Sequence, residues 1–418
     1  MKKILQLISA FILTLSSLLT LAMPLAHAAT INCSWTDASG TDNNFSTAGN
    51  WSCNGSPPSG GGGNVYNLTF PASAGGFDPV LDINNLPVGT VAFSGGGYTI
   101  HSSGGADTIS ISGGITDTSS GPNNEIDLNV TIAANQVFTA GANSQLILGN
   151  GTTTVALGSN NLTLANTSVT GPLTGSGTLI IADPHYPGDV TGVDLHAASP
   201  SFNGNISVNQ GALFVDNAGA LSAAGQVTVA SGALLKGNGG VFSAVIQSGG
   251  SIAPGHSPGC ITTNDLTISG TYLAQIGGTQ ACSGYDQLQV ANTVNVTNAT
   301  LQTSFVSGFT PTIGQSFEII HNTGGNPIVG TFSGLAQGAT FTSGGTTFQI
   351  SYTGGSGNDV TLTAVTPSTP AGSASAPKAP ATGFGAIAAN PLTVFITSVA
   401  AMATLLAVVQ RLKTAKRP

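Results

Sequence analysis

The chain has 418 residues, of which 58 are Gly and only 6% are charged, and its formal net charge is −8. Apart from Lys236 and Lys378, every Lys and Arg lies at one of the two ends, so the long middle carries almost nothing to balance its 16 Asp and Glu. Without clustered cations to neutralise phosphate, nucleic acid is excluded as a partner and anionic lipid headgroups are disfavoured.

At the N-terminus Lys2 and Lys3 precede an apolar stretch from Ile4 to Ala22, and Ala26-His27-Ala28 supplies the small-x-small pattern of a signal peptidase site. Residues 1–28 are expected to be a signal peptide with an apolar helix, cut between Ala28 and Ala29, and the residues after them to be exported. Four cysteines follow as two local pairs, Cys33 with Cys53 and Cys260 with Cys282. Each pair closes a loop of about twenty residues, for which a disulfide contributes roughly 3 kcal/mol. Export permits both bonds, whereas a zinc site would want a short Cys-x-x-Cys spacing that is absent. Trp35 and Trp51 beside the first pair read as the core of a cap over 29–90, in preference to a sugar-binding platform.

Val, Ile, Leu, Phe and Thr then recur in short alternating bursts between Gly-Gly, Ser-Gly, Asn-Gly and Gly-Asn pairs, and no window from 30 to 365 sustains helical spacing. One template repeats: apolar, x, apolar, x, x, Gly or Asn, x, apolar. It fits Val91, Phe93, Gly96, Tyr98; Val130, Ile132, Asn135, Val137; Val155, Leu157, Asn160, Leu162; Ile206, Val208, Gly211, Leu213; and Val227, Val229, Gly232, Leu234. A looser copy is Val245, Gln247, Gly250, Ile252, and a late variant is Val294, Val296, Ala299, Leu301.

Two-residue alternation places the first two apolar side chains on one strand face, and the Gly or Asn marks a corner that tolerates a left-handed backbone. Gly211, Gly232 and Gly250 recur at intervals of about 20 residues, which suits one coil of a solenoid. A β-sandwich array would want Greek-key strands about 8 to 12 residues apart and an aromatic core signature. The fold class expected is all-β: a right-handed parallel β-helix (solenoid) over 91–259, with a C-terminal β module or cap over 260–365.

Residues 201–259 contain Ser-Phe-Asn-Gly-Asn-Ile-Ser-Val-Asn-Gln-Gly-Ala-Leu, Val-Thr-Val-Ala-Ser-Gly-Ala-Leu-Leu-Lys-Gly-Asn-Gly-Gly and Gly-Gly-Ser-Ile-Ala-Pro-Gly-His-Ser-Pro-Gly. They resemble the β-strand repeats of autotransporter passenger domains. Phe45 to Trp51 and the run from Tyr285 to Val360 resemble other segments of the same proteins. The resemblance implies a β-helical passenger and specifies fold more than function. A true autotransporter ends in a membrane β-barrel of tilted strands, and the segment expected here is an apolar helix.

Chemistry is sparse. Lyases of this fold commonly use Arg or Lys, and between the two ends only Lys236 and Lys378 stand. Hydrolysis needs two carboxylates. The densest candidate is Asp183, His185, Tyr186, Asp189, Asp194 and His196; a metal site from Asp183, His185 and His196 is conceivable, and a solvated loop is the plainer reading. Gly354-Gly355-Ser356-Gly357-Asn358-Asp359 nearly matches a calcium-binding nonapeptide but occurs once, so a turn before a last strand is expected. His256 has no acid at a readable spacing, which leaves a Ser/His nucleophile unsupported.

After Thr366 a Pro/Ser/Ala linker (366–380) leads to Ala379-Pro380-Ala381-Thr382-Gly383, an uncharged apolar segment at 391–409 and a basic tail ending in Arg411, Lys413, Lys416 and Arg417. About 20 apolar residues span a bilayer as a helix, and the following cations stay cytoplasmic. The order resembles the sorting signal of sortase-anchored surface proteins over 379–418. That resemblance implies cleavage between Thr382 and Gly383 and transfer of Thr382 to the cell wall, although Ala379 stands where the family usually has Leu. The expected protein is therefore a non-enzymatic cell-surface stalk or adhesin needing no cofactor. Its partners would be the cell wall or membrane anchor and a glycan or protein of a host or neighbouring cell, with oligomeric state left open. The alternative is a polysaccharide-hydrolysing β-helix with its site at 183–196.

Overall fold

The computed structural model describes residues 28–59, 63–104, 107–185, 192–216 and 221–367. The signal segment, Tyr186, Asp189, the sorting motif 379–383 and the span 391–409 lie outside the described residues. Among those described, no helix is long and apolar enough to cross a membrane. The chain divides after Thr366 into two units, and the fold below is that of the first.

It is all-β, with a 22-stranded sheet, an 11-stranded sheet and one short 3-10 helix, Ala48–Asn50. The chain visits the sheets in turn. Ile206–Gln210 of the large sheet leads to Ala212–Val215 of the small one and back to Leu221–Val229 of the large one. A parallel pair cannot be closed by a tight hairpin, and here the crossover is a strand of the other sheet.

One ladder of aligned residues runs Leu162, Leu179, Ile206, Val227, Ala244, Leu266, Val294 in the large sheet, all buried. Another runs Val193, Leu213, Leu235, Ile252, Tyr272, Leu301 in the small one. The sequence interval between successive members is uneven, short from Leu162 to Leu179 and long from Tyr272 to Leu301, yet each step moves one strand along the sheet. Such an arrangement is compatible with a β-solenoid. Each fully buried Leu, Ile or Val in such a ladder contributes roughly 1.5–3 kcal/mol.

Parallel pairing begins with Thr30–Trp35 on Val65–Phe70 and continues past residue 259 as far as Gln287–Asn295 on Ser316–Asn322. In the large sheet both ends switch to antiparallel pairing, which covers strand edges that would otherwise template another chain. Among the described residues the small sheet ends in Thr300–Phe305, paired on one side only, with Thr271–Ile276. Trp51–Cys53 folds back on Thr30–Trp35, joined by the Cys33–Cys53 disulfide between register partners. Asp359–Val365 lies antiparallel on Ser316–Asn322, and the hairpin of Thr340–Ser343 with Thr346–Gly354 adds to it.

The repeat template places some side chains one residue out. Val137 is 49% exposed, while Gln136 and Phe138 turn inward. Leu234 is half-buried and Leu235 fills the core; likewise Ala244 and Ile246 face inward in place of Val245. Because strand faces alternate every residue, a single-residue difference in corner length swaps the whole face. Gln136 is tolerated inside because Nε2 donates to Ile111 O (2.7 Å) and Oε1 accepts from Gly114 N (2.9 Å). The third corner also moves by one: Gly249 has φ +82°, while at Gly250 a Cβ would lie 2.7 Å from Val229 O.

Candidate functional site

Trp35 and Trp51 are core. Their rings meet at 5.0 Å, Phe45 and Phe70 pack against them, and the indole N–H groups donate to Gly76 O and Phe45 O. Ala29, the first residue after the expected cleavage point, accepts a hydrogen bond from Val65 N (3.0 Å). Cys260 and Cys282 are bonded, as Cys33 and Cys53 are.

The polar stretch expected at 183–196 separates into two environments. Asp183 is fully buried, with Asn166 N donating to Oδ2 (3.2 Å) and His185 N to Oδ1 (3.0 Å). It extends an interior row of polar contacts in which the Asn166 amide reaches Gly141 O and Ser144 O, and Ser144 Oγ reaches Asp117. Its oxygens are occupied by backbone donors, so the metal set Asp183, His185 and His196 is not assembled among the described residues.

His196 instead joins Asp194 and Asp216, whose ligand atoms lie within 4.8 Å of one another. Strand alternation explains the grouping. In Val193–Leu195 the two apolar side chains point inward and Asp194 outward; His196 follows, also outward. On the next strand of the small sheet Asp216 follows the buried Val215, and Asp216 N donates to Leu195 O (3.1 Å), which brings the two outward rows together. Phe214 is the register partner of Asp194, and Lys236 that of Phe214.

Four polar side chains meet there. His196 Nε2 lies 2.9 Å from Asp194 Oδ2, and His256 Nε2 lies 2.8 Å from Asp216 Oδ1. Phe214 stacks on the His256 ring at 5.5 Å, and Lys236 Nζ stands 5.4 Å from the Phe214 ring centre. Asp194 is pushed up to about 7, chiefly by burial and then by the charge of Asp216 and its hydrogen bond, with His256 pulling the other way. His256, with no acid at a readable spacing in the sequence, has Asp216 as its partner in the fold. The two are 40 residues apart in sequence and are brought together by the parallel strands of the small sheet.

The Gly354–Asp359 segment is a turn: the two residues are register partners across the hairpin of Thr346–Gly354 and Asp359–Val365. A second carboxylate–imidazole group, Glu318, His321 and Asp359, lies beside it. There Asp359 is already engaged, its oxygens accepting from Asn322 N (2.7 Å) and Ser356 N (2.8 Å).

A groove of about 350 Å³ lies beside the first cluster on the small sheet, lined by Lys236, Gln275, Gln302, Thr303 and Ser304 among others. Comparison with known proteins finds no family model that matches this chain and no match among the curated proteins. The local arrangement therefore carries the chemical reading: paired carboxyls, each with its own imidazole, able to hold a proton or a cation.

Proposed function

We propose that this is a secreted, non-enzymatic surface protein. It is a right-handed parallel β-helix displayed outside the cell, tethered through Thr382 to the wall or through the 391–409 segment to the membrane, and acting as an adhesin or structural stalk. Parallel pairing closed by antiparallel strands at both ends of the large sheet carries the reading, because those strands cover edges that would otherwise add further chains. Two disulfides fit an oxidising, extracellular setting. The outer faces suit glycan or protein contact at little charge cost. One outward row of the large sheet reads Thr163, Ile180, Ser207, Thr228, Val245, Thr267, Asn295.

The intact mass of chain released from cells tests the tether. An end at Thr382 is expected for wall transfer, and retention of 384–418 would show a membrane anchor instead. A glycan array and a cell-binding assay with the released chain test adhesion, and absence of binding to every surface would leave the stalk role alone.

Glycan hydrolysis is the second reading, favoured by the Asp194–Asp216 pair. Its geometry is poor for that task. Retaining glycosidases hold their carboxyls about 5 Å apart around the sugar bond, and inverting ones farther. Here carboxyl oxygens of Asp194 and Asp216 lie within 4.8 Å of each other, a spacing shorter than either class uses. Release of reducing sugar that disappears in both Asp194→Ala and Asp216→Ala would establish the enzyme and overturn the structural reading.

A further inference from the structure

We propose that Asp194, His196 and Asp216 form a binding site for a zinc-class divalent cation on the outer face of the small sheet, with His256 orienting Asp216. No sequence motif announces it, and it is independent of the tether and of adhesion.

Convergence is the first argument. Two carboxylates and an imidazole nitrogen come within 4.8 Å of one another. Imidazole nitrogen and carboxylate oxygen are both zinc ligands, and three protein ligands with one open position is a geometry zinc adopts. The donors also choose the metal. Calcium and magnesium take oxygen ligands, whereas imidazole with carboxylate suits zinc and its neighbours.

The second argument is an incomplete hydrogen-bond inventory. Asp194 Oδ1 is buried, and with both carboxyls ionised no group donates a hydrogen bond to it. Two carboxyls lie in contact there, yet Lys236 is the sole Lys or Arg among the described residues, and its Nζ sits over the Phe214 ring. An acceptor taken from water without a donor is costly, and a cation between the carboxylates removes that cost together with their repulsion.

The third argument lies around the ligands. His256 Nε2 reaches both oxygens of Asp216, at 2.8 and 3.0 Å, and its ring is held by stacking on Phe214. Outer partners of this kind orient a ligating carboxylate, and their loss typically weakens metal affinity about 10- to 100-fold. In the Glu318, His321, Asp359 group backbone N–H groups occupy both Asp359 oxygens, whereas at Asp216 a backbone N–H reaches Oδ1 alone, from Asn238 at 3.4 Å.

Equilibrium dialysis of the full purified chain, free of any polyhistidine tag and stripped with chelator, against ZnCl2 tests the site. About one Zn²⁺ per chain is expected, with half-saturation below about 100 µM. Binding should be lost in His196→Gln, weakened about 10-fold or more in His256→Ala, and unchanged in His321→Ala. Co²⁺ in place of Zn²⁺ should give visible d–d absorption that disappears in Asp194→Asn. His256 is the most exposed of the four side chains, so its variant keeps the test valid if the buried substitutions unfold, which circular dichroism would report. No zinc bound, zinc binding undiminished in His256→Ala and His196→Gln, or equal competition by Ca²⁺ would each overturn the proposal.

Discussion

His256 Nε2 lies 2.8 Å from Asp216 Oδ1 although 40 residues separate them in the chain. That separation is close to two strand-to-strand steps of the small sheet, such as Leu213 to Leu235 followed by Leu235 to Ile252. Parallel pairing of successive strands in the small sheet turns a sequence interval into direct contact, and the carboxylate–imidazole cluster is built in that way. The Phe214 ring packed on His256 then limits where the imidazole can go.

Asp183 is a structural residue, and its replacement should register in stability alone. Asp183→Ala leaves the N–H groups of Asn166 and His185 without their acceptor, and each orphaned buried donor costs about 1–3 kcal/mol. Urea denaturation should show that loss, while zinc binding by the folded fraction stays as in the parent chain.

Strand register can be checked at neighbouring positions. Phe138 is wholly buried and Val137 is half exposed. Phe138→Ala should cost about 3–5 kcal/mol, and Val137→Ala should stay within about 0.5 kcal/mol of the parent. Equal losses at the two positions in thermal or urea melts would contradict the assigned face.

Stability should decline as pH rises from 4 towards 7, in part through Asp286. This carboxyl is buried, and burial raises it from 3.8 to about 6 against the opposing pull of the Gln275 and Gly259 N–H groups and of Lys236. A raised acid binds its proton more tightly in the folded than in the unfolded chain. Its contribution is therefore full below about 4 and lost as pH climbs through about 6. In Asp286→Asn the slope between these values should flatten, as read from urea midpoints across a pH series.

The second disulfide joins Cys260, at the start of Cys260–Ile268, to Cys282 in the turn before Gln287–Asn295. Converting both to Ser should cost roughly 3 kcal/mol through the freed unfolded chain. A urea midpoint equal to that of the parent under non-reducing conditions would show that stacking alone holds this coil.

Much of the fold was legible because the relevant signals are local. Alternation in Ile206–Gln210 identifies Ile206 and Val208 as the inward pair, and Gly211 with φ +84° is the corner that the template demands. Proximity in sequence likewise marked the two cysteine pairs. Val137, Leu234 and Val245 were misplaced because corners differ by a residue, and nothing in the alternating pattern counts the residues within a corner.

The sequence by itself determined strand class, cysteine pairing and the scarcity of cations in the middle of the chain, since each follows from composition or from neighbours along it. Tertiary structure decided which side chains meet. Lateral neighbours in each sheet are separated by a whole excursion of the chain, and its length varies, as the unequal steps from Leu162 to Leu179 and from Tyr272 to Leu301 show. No constant spacing therefore reveals that Asp194, Asp216 and His256 share a site. The stack also decided the role of Asp183, because burial and backbone donors, which no sequence pattern carries, turn a potential ligand into an anchor for the turn at His185.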